Sequence, residues 1–327
     1  MYPMDISRTV RLIIKTCLQV RAGQEVLIIG TTDEDLKLAS ALAAEVHAAG
    51  AEPGVVLVER PIRKVEPPDW LAKAMTRVDR IITLGLTDFG HTQARKEATA
   101  AGVSYAYIPD LMNEELTELG VGPRDLYRIR DLTLKVAEAI SEAGRARITS
   151  PAGTDLELDL KGRPGLPLQP VREGPGHFAI VPFYSEVACA PRENRARGVV
   201  AAQGTVVGLP GLNGVPAEPI RWEVEKGRVR SVEGGREART LAKMLPKLGK
   251  NADALAELGI GTNPKMRDTL VGNRRDNAIF GHIHLALGRN LDLGGTLASP
   301  IHTDFLVLEA TLELDGQKVL QGRRWLG

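Results

Sequence analysis

The chain has 327 residues, 43% of them hydrophobic and 25% charged, with 42 basic side chains against 41 acidic ones and a formal net charge of +1. That length accommodates two domains and a core that needs neither disulfide nor metal, and the balanced charge, with no concentrated Lys/Arg run, argues against a nucleic-acid partner. The two cysteines, Cys17 and Cys189, are far apart and form no Cys-X-X-Cys pair, which points to a reducing, cytoplasmic setting and away from a structural zinc cluster.

The first twenty residues, MYPMDISRTVRLIIKTCLQV, spread basic side chains through an apolar pattern. They predict an amphipathic helix rather than a cleavable leader, and no apolar run reaches the length of a membrane span. Glu25 to Gly30 predicts a strand, TTDED (31–35) a helix cap, the stretch to Ala49 a helix, and Pro53 to Val58 a second strand. The glycine after the first strand begins no Gly-X-Gly-X-X-Gly or P-loop motif, and three acids follow it, so a bound nucleotide phosphate is not expected. Arg80 to Gly85 and Val103 to Ile108 repeat the strand signal around a polar helical stretch from His91 to Ala101, as parallel strands with crossover helices do.

Beyond residue 144 the texture changes. Ala146 to Leu160 alternates with period two around a Pro-Ala-Gly turn, as a hairpin does, and afterwards glycine and proline become frequent and only Glu237 to Leu245 reads as a clear helix. The expected fold class is α/β: a Rossmann-like parallel-sheet domain over residues 1–144, followed by a strand-rich α+β domain over 145–327 that carries the metal site.

Three of the six histidines, His282, His284 and His302, lie near the C-terminus. In GHIHLALG the strand period puts His282 and His284 on one face with Ala286, and in SPIHTDF it puts His302 and Asp304 on one face and Ile301, Thr303 and Phe305 on the other. Two neighbouring strands thereby present imidazoles and a carboxylate to one pocket, a donor set that suits zinc, manganese, cobalt or iron(II). Upstream, Glu257 shares a face with Gly259 and Gly261, where absent side chains are expected to leave space for an ion or substrate. Glu186 interrupts the apolar segment YSEVACAP, where a lone charge needs a partner. A single His-X-Asp pair is commonly structural; it is the joint occurrence of Glu186, Glu257, His284, His302 and Asp304 in one domain that points to a metal. His282 is read as the bystander among the three, His47 and His91 as ordinary helix residues, and His177 as a solvated loop residue.

In RITSPAGTDLELDLKGRPG, YSEVACAP, ELGIGTNPKMR, HIHLALGRN and SPIHTDFLV the sequence resembles the thermophilic leucyl-aminopeptidase (aminopeptidase T) family of metallopeptidases. The resemblance implies that Glu186, Glu257, His284, His302 and Asp304 stand at the family's metal-ligand positions. It also implies a homodimer with the site in the C-terminal domain, and a zinc, cobalt or manganese centre whose bound water gives its proton to Glu186 or Glu257 as catalytic carboxylate. Two positions depart from the peptidase pattern: Ile279 stands for its glutamate, with Asp276 the nearest upstream acid, and Leu291 for its tyrosine. The same C-terminal motifs are similar to the iron(II) dioxygenases that open dihydroxypyridine rings. In that branch His302 and Asp304 would ligate iron, and His284 or Glu257 would supply the third donor. The first reading is a metal-dependent aminopeptidase-like hydrolase acting on small peptides. The second is a mononuclear iron(II) ring-cleaving dioxygenase acting on a small N-heterocycle, and the third a non-catalytic metal or small-molecule binding protein on the same scaffold.

Overall fold

The computed structural model describes residues 5–31, 36–59, 66–85, 89–90, 92–109 and 120–327. The predicted cap at 32–35 and His91 lie outside the described residues. The chain forms two compact units, residues 1–130 with 168–184, and residues 131–167 with 185–327. The sequence expectation set one boundary at 144. The division falls instead within the helix Pro123–Glu142, whose unbroken apolar stripe hides it from a reading based on composition, and the segment 168–184 returns to the first unit.

The first unit is built on a parallel sheet. Its strands are β1 (Glu25–Thr31), β2 (Glu52–Val58), β3 (Arg80–Leu84), β4 (Ser104–Ile108) and a later strand, β8 (Phe178–Ile180), in the order β2-β1-β3-β4-β8. The near-continuous apolar runs of β1, β3 and β4 suit strands covered on both faces, and all three are buried almost throughout. Ala39, Leu42 and Val46 of the helix Leu36–Ala48, Leu71 and Met75 of Asp69–Met75, and Ala94 and Ala98 of Gln93–Ala100 supply buried helix faces. The loop GPGH ahead of β8 is folded more tightly than expected: His177 is half-buried, its Nε2 lies 3.2 Å from the Gln169 carbonyl, and burial pulls its pKa below the usual histidine value. No helix among the described residues is long and apolar enough to cross a membrane.

The second unit holds two sheets. The hairpin predicted around Pro-Ala-Gly is β5 (Arg145–Thr149) and β6 (Asp155–Asp159), with Gly153 at φ 101° in the turn. It lies inside an eight-stranded sheet with β10 (Arg197–Ala202), β12 (Ile220–Glu225), β13 (Arg228–Glu233), β17 (Thr311–Leu314), β18 (Gln317–Gln321) and β19 (Arg324–Trp325). The second sheet runs β11-β16-β15-β14-β9-β7, with β7 (Leu166–Leu168), β9 (Glu186–Cys189), β11 (Val206–Val207), β14 (Leu255–Gly261), β15 (Ile283–Gly288) and β16 (His302–Val307). The helix expected over 237–245 is Arg236–Met244. Each sheet contributes one alternating face to a shared core, where Trp222 of β12 meets Phe305 of β16 edge to face at 5.6 Å. Both rings are fully buried. Phe305→Ala is therefore expected to lower the unfolding free energy by about 3–5 kcal/mol, read from the urea midpoint.

Candidate metal centre

The five predicted residues come to one face of the six-stranded sheet. Across β9 and β14, Glu186 pairs with Gly261 and Ala188 with Gly259. Across β14 and β15, Gly259 pairs with His284 and Glu257 with Ala286, and across β15 and β16, Ala286 pairs with Asp304 and Gly288 with His302. Directly opposed residues project to the same side, so the donors share their face with Ala188, Gly259, Gly261, Ala286 and Gly288, with Leu306 opposite His284 and Val207 opposite Asp304. The alternate positions Val187, Leu258, Ile260, Ile283, Leu285, Leu287, Phe305 and Val307 project into the core. Cys189 belongs to that core face, where burial, with Glu257 nearby, pushes its thiol up to about 12, so sulfur is not a donor here.

The glycines of ELGIG act differently from the sequence expectation. A Cβ on Gly259 would lie 2.0 Å from Cε1 and Nε2 of His284, so the imidazole lies across this strand. At Gly261 a Cβ would lie 2.2 Å from the Ile279 carbonyl and 2.5 Å from that of Asn277. The room is used by a ligand-type side chain and by backbone rather than left open for an ion or substrate.

Two donor clusters result, Glu186–Glu257–His284 and Glu257–His302–Asp304, each offering one atom per residue with all its donors within 4.8 Å of one another. Glu257 is common to both: Oε1 is 3.5 Å from His284 Nε2 and Oε2 is 2.8 Å from His302 Nε2. Glu186 Oε2 lies 3.7 Å from His284 Nε2, and Asp304 Oδ1 lies 3.2 Å from His302 Nε2. The two imidazoles fall in different clusters, and of the two side chains left open as partner to His302 and Asp304 it is Glu257, between the rings, that groups with them. Glu186, Glu257, His284 and Asp304 are buried, whereas the His302 side chain is 35% exposed and marks the approach from solvent.

Several partners were not legible in the sequence. His302 Nδ1 is 2.7 Å from the Arg289 carbonyl, which makes Nδ1 the protonated nitrogen and turns Nε2 toward Glu257 and Asp304. That carbonyl is held because the next residue, Asn290, is buried and its side chain bonds the Leu297 N–H at 2.8 Å and the Ala256 carbonyl at 3.3 Å. Asn277 Nδ2 donates to Asp304 Oδ2 at 2.8 Å. Nothing in RRDNAIFGH or HLALGRN separates Asn277 and Asn290 from loop residues; their roles depend on contacts between segments distant in sequence. His282 is the bystander it was read to be, with Nδ1 3.1 Å from the Asp276 carbonyl and Nε2 2.9 Å from Asp268. Asp276 also stays out of the clusters: its carboxylate accepts from the Thr205 hydroxyl and the Val271 and Gly272 amides.

The electrostatics follow from burying three carboxylates beside two imidazoles. Burial opposes the charge of Glu257, but hydrogen bonds from His284 and His302 outweigh it and bring its pKa down to about 2. Asp304 is pulled down in the same way by His302. Burial likewise opposes a charged His284, yet Glu257, Glu186 and Asp304 push it up to about 9, and His302 is raised well above its ordinary value by Asp304 and Glu257. Without a metal, the protons on the imidazoles act as the cations of the site. The donors fit a divalent ion: they are nitrogen and carboxylate oxygen, and Asp304 Oδ1 and His284 Nδ1 are buried with no hydrogen-bond partner.

The profile of the family described as NicX, 2,5-dihydroxypyridine 5,6-dioxygenase, matches residues 6–325. The chain belongs to this dioxygenase family. It is 25% identical over 190 residues to a 2,5-dihydroxypyridine 5,6-dioxygenase of Pseudomonas putida, an alignment spanning 55% of this chain and 54% of that protein. The chain thus matches about half the length of its curated relative. Its fold is similar to the structure of 2,5-dihydroxypyridine dioxygenase from Pseudomonas putida KT2440, with a TM-score of 0.81 over 98% of this chain and 97% of that one at 17% identity. It is also similar to AmpT from Thermus thermophilus, with a TM-score of 0.71 over the whole of both chains at 20% identity. Membership falls on the branch that the sequence reading placed second, and the likeness to AmpT is one of fold. In this chain the side chain grouped with His302 and Asp304 is a carboxylate, Glu257.

Two outcomes are expected. Gly259→Ala should cost about 1–3 kcal/mol of stability, and much of the loss should vanish in the His284→Ala background, a coupling read by a double-mutant cycle. In chelator-treated protein the raised imidazoles contribute stability that is complete below 6.5 and lost as the pH rises through about 9, while the depressed Glu257 contributes stability that is complete above 4.5 and lost as the pH falls through about 2. Glu257→Gln should therefore gain on the parent protein as the pH rises through about 9, measured by urea midpoints across the range.

Proposed function

We propose that the chain is an iron(II)-dependent oxygenase that cleaves a small hydroxylated N-heteroaromatic ring, with Glu257, His302 and Asp304 holding the ion. The observation that supports this reading is the Glu257–His302–Asp304 cluster, with the His302 tautomer fixed by the Arg289 carbonyl, in a chain matched over residues 6–325 by the dioxygenase family. A bound iron(II) would supply the one-electron chemistry through which dioxygen and an electron-rich ring react. The 35% exposed side chain of His302 is where a substrate would meet the cluster, whose other donors are buried. His284 Nε2 lies between Glu186 and Glu257, and the two carboxylates stabilise its charged form, so it would act at the site as a proton donor rather than as a base. The first substrate to test is 2,5-dihydroxypyridine, which the relatives' names carry.

One observation favours a second reading. The two oxygens of Glu257 face separate clusters, as a carboxylate bridging two ions would, and that arrangement suits a two-metal aminopeptidase in which Glu186 or Glu257 takes a proton from water. Protein purified anaerobically and reconstituted with iron(II), zinc, cobalt or manganese separates the readings. One iron per chain with oxygen uptake on 2,5-dihydroxypyridine is expected. Two ions per chain with hydrolysis of amino-acid anilides would establish the peptidase instead, and bound metal with neither turnover would favour a binding protein.

His302→Ala should remove stoichiometric metal, measured by elemental analysis after desalting. Because a ligating imidazole must be neutral and His302 is raised in the metal-free protein, binding should release a proton from it and tighten about tenfold per pH unit between pH 6 and 8. Calorimetry in two buffers of different ionisation enthalpy counts that proton.

A further inference from the structure

We infer that Asn277 is a positioning residue that restricts Asp304 to ligation through a single oxygen, Oδ1; the inference rests on the metal-binding reading above. Asp304, the third residue of β16, has its two oxygens in different situations. Oδ2 accepts the Asn277 amide Nδ2 at 2.8 Å, whereas Oδ1 lies 3.2 Å from His302 Nε2 and is buried with no hydrogen-bond partner. Oδ1 therefore faces the other donors, and Oδ2 is committed to a neutral donor on its far side.

The amide cannot easily yield. Asn277 is 1% exposed, and its own Oδ1 has no partner, so Asp304 alone decides which end of the amide points inward. A flipped amide would set oxygen against carboxylate. The residue lies in the short 3₁₀ turn Arg274–Ala278, whose start is capped by Asn273 through the Arg275 N–H at 2.9 Å. Asp276 fastens the turn from inside the fold, taking the Thr205 hydroxyl at 2.5 Å and the Gly272 amide at 2.8 Å. The turn also docks on β14: the Asn263 N–H bonds the Ala278 carbonyl at 3.0 Å, and Gly261 lets the backbone of 277–279 approach more closely than any Cβ would allow. If Asp304 rotated to chelate with both oxygens, it would leave a buried amide N–H without a partner, a larger cost than the mean worth of one hydrogen bond. A one-oxygen carboxylate keeps coordination positions open, which a site that must take both a substrate hydroxyl and dioxygen requires.

The test uses the full chain loaded with cobalt(II), comparing the parent with Asn277→Leu, which removes the amide, and Asn277→Asp, which keeps its shape and offers no donor when ionised, across a pH series that ionises it. Three quantities are read: the cobalt(II) affinity, the visible absorption of the bound ion, and the unfolding midpoint of the chelated protein. We expect both variants to lose cobalt affinity by roughly 10- to 100-fold, the scale seen when an outer partner of a metal ligand is removed. Their visible band should also weaken as the second Asp304 oxygen joins the ion and raises its coordination number. A variant with an altered midpoint still reports through its spectrum at saturating cobalt, and Asn277→Asp serves if Asn277→Leu fails to fold. If the parent binds cobalt and both variants match it in affinity and spectrum, the inference is overturned while the metal reading stands. If the parent binds no divalent ion, both are overturned.

Discussion

A single buried carboxylate organises the second unit. Glu257 is the buried third residue of β14, and its charge is tolerated there because each of its oxygens meets an imidazole, Oε1 that of His284 and Oε2 that of His302. Because the two rings must reach Glu257 from the same side, β15 and β16 must take the register that sets Ala286 against both Glu257 and Asp304. A slip of one residue would turn every donor into the hydrophobic core and every core residue toward solvent. Register, core and donor set are thus one constraint.

The face that carries the donors is made of small residues for a steric reason. Three carboxylates and two imidazole rings cannot lie side by side on a pleated surface unless most of their neighbours are small. Gly259 gives up its place to the His284 ring and Gly261 to the backbone at 277–279, while Ala188 and Ala286 keep two further cross-strand positions small. The opposite face is dense, with Phe305 driven against Trp222. The same strands therefore serve stability with one set of alternate residues and chemistry with the other, and a substitution is felt as packing or as electrostatics according to its parity.

The electrostatic state of the site is set by the balance of three acids against two bases. In the protein without a metal, protons on His284 and His302 neutralise part of the negative charge, and a divalent ion would take their place. Among the five side chains, that of His302 is the most exposed to solvent.

Much of this was written in the chain order. Period-two alternation in GHIHLALG and SPIHTDF fixed which residues share a face, because the strand repeat is a property of the backbone alone, and Glu186 and Glu257 stood out because charge inside apolar runs needs a reason. The α/β class followed from apolar runs alternating with helical periodicity. The division of the chain within Pro123–Glu142 was not legible, because a continuous helix carries no compositional break, and neither was the return of 168–184 to the first sheet. Tertiary structure alone decided that Glu257 lies between the two histidines, that the Gly259 position is taken by an imidazole, and that Asn277 and the Arg289 carbonyl orient Asp304 and His302. Local pattern determines which side a residue faces; which partners it meets there depends on strand register and on loops that return from far along the chain, and those are settled only when the whole sheet closes around its buried charges.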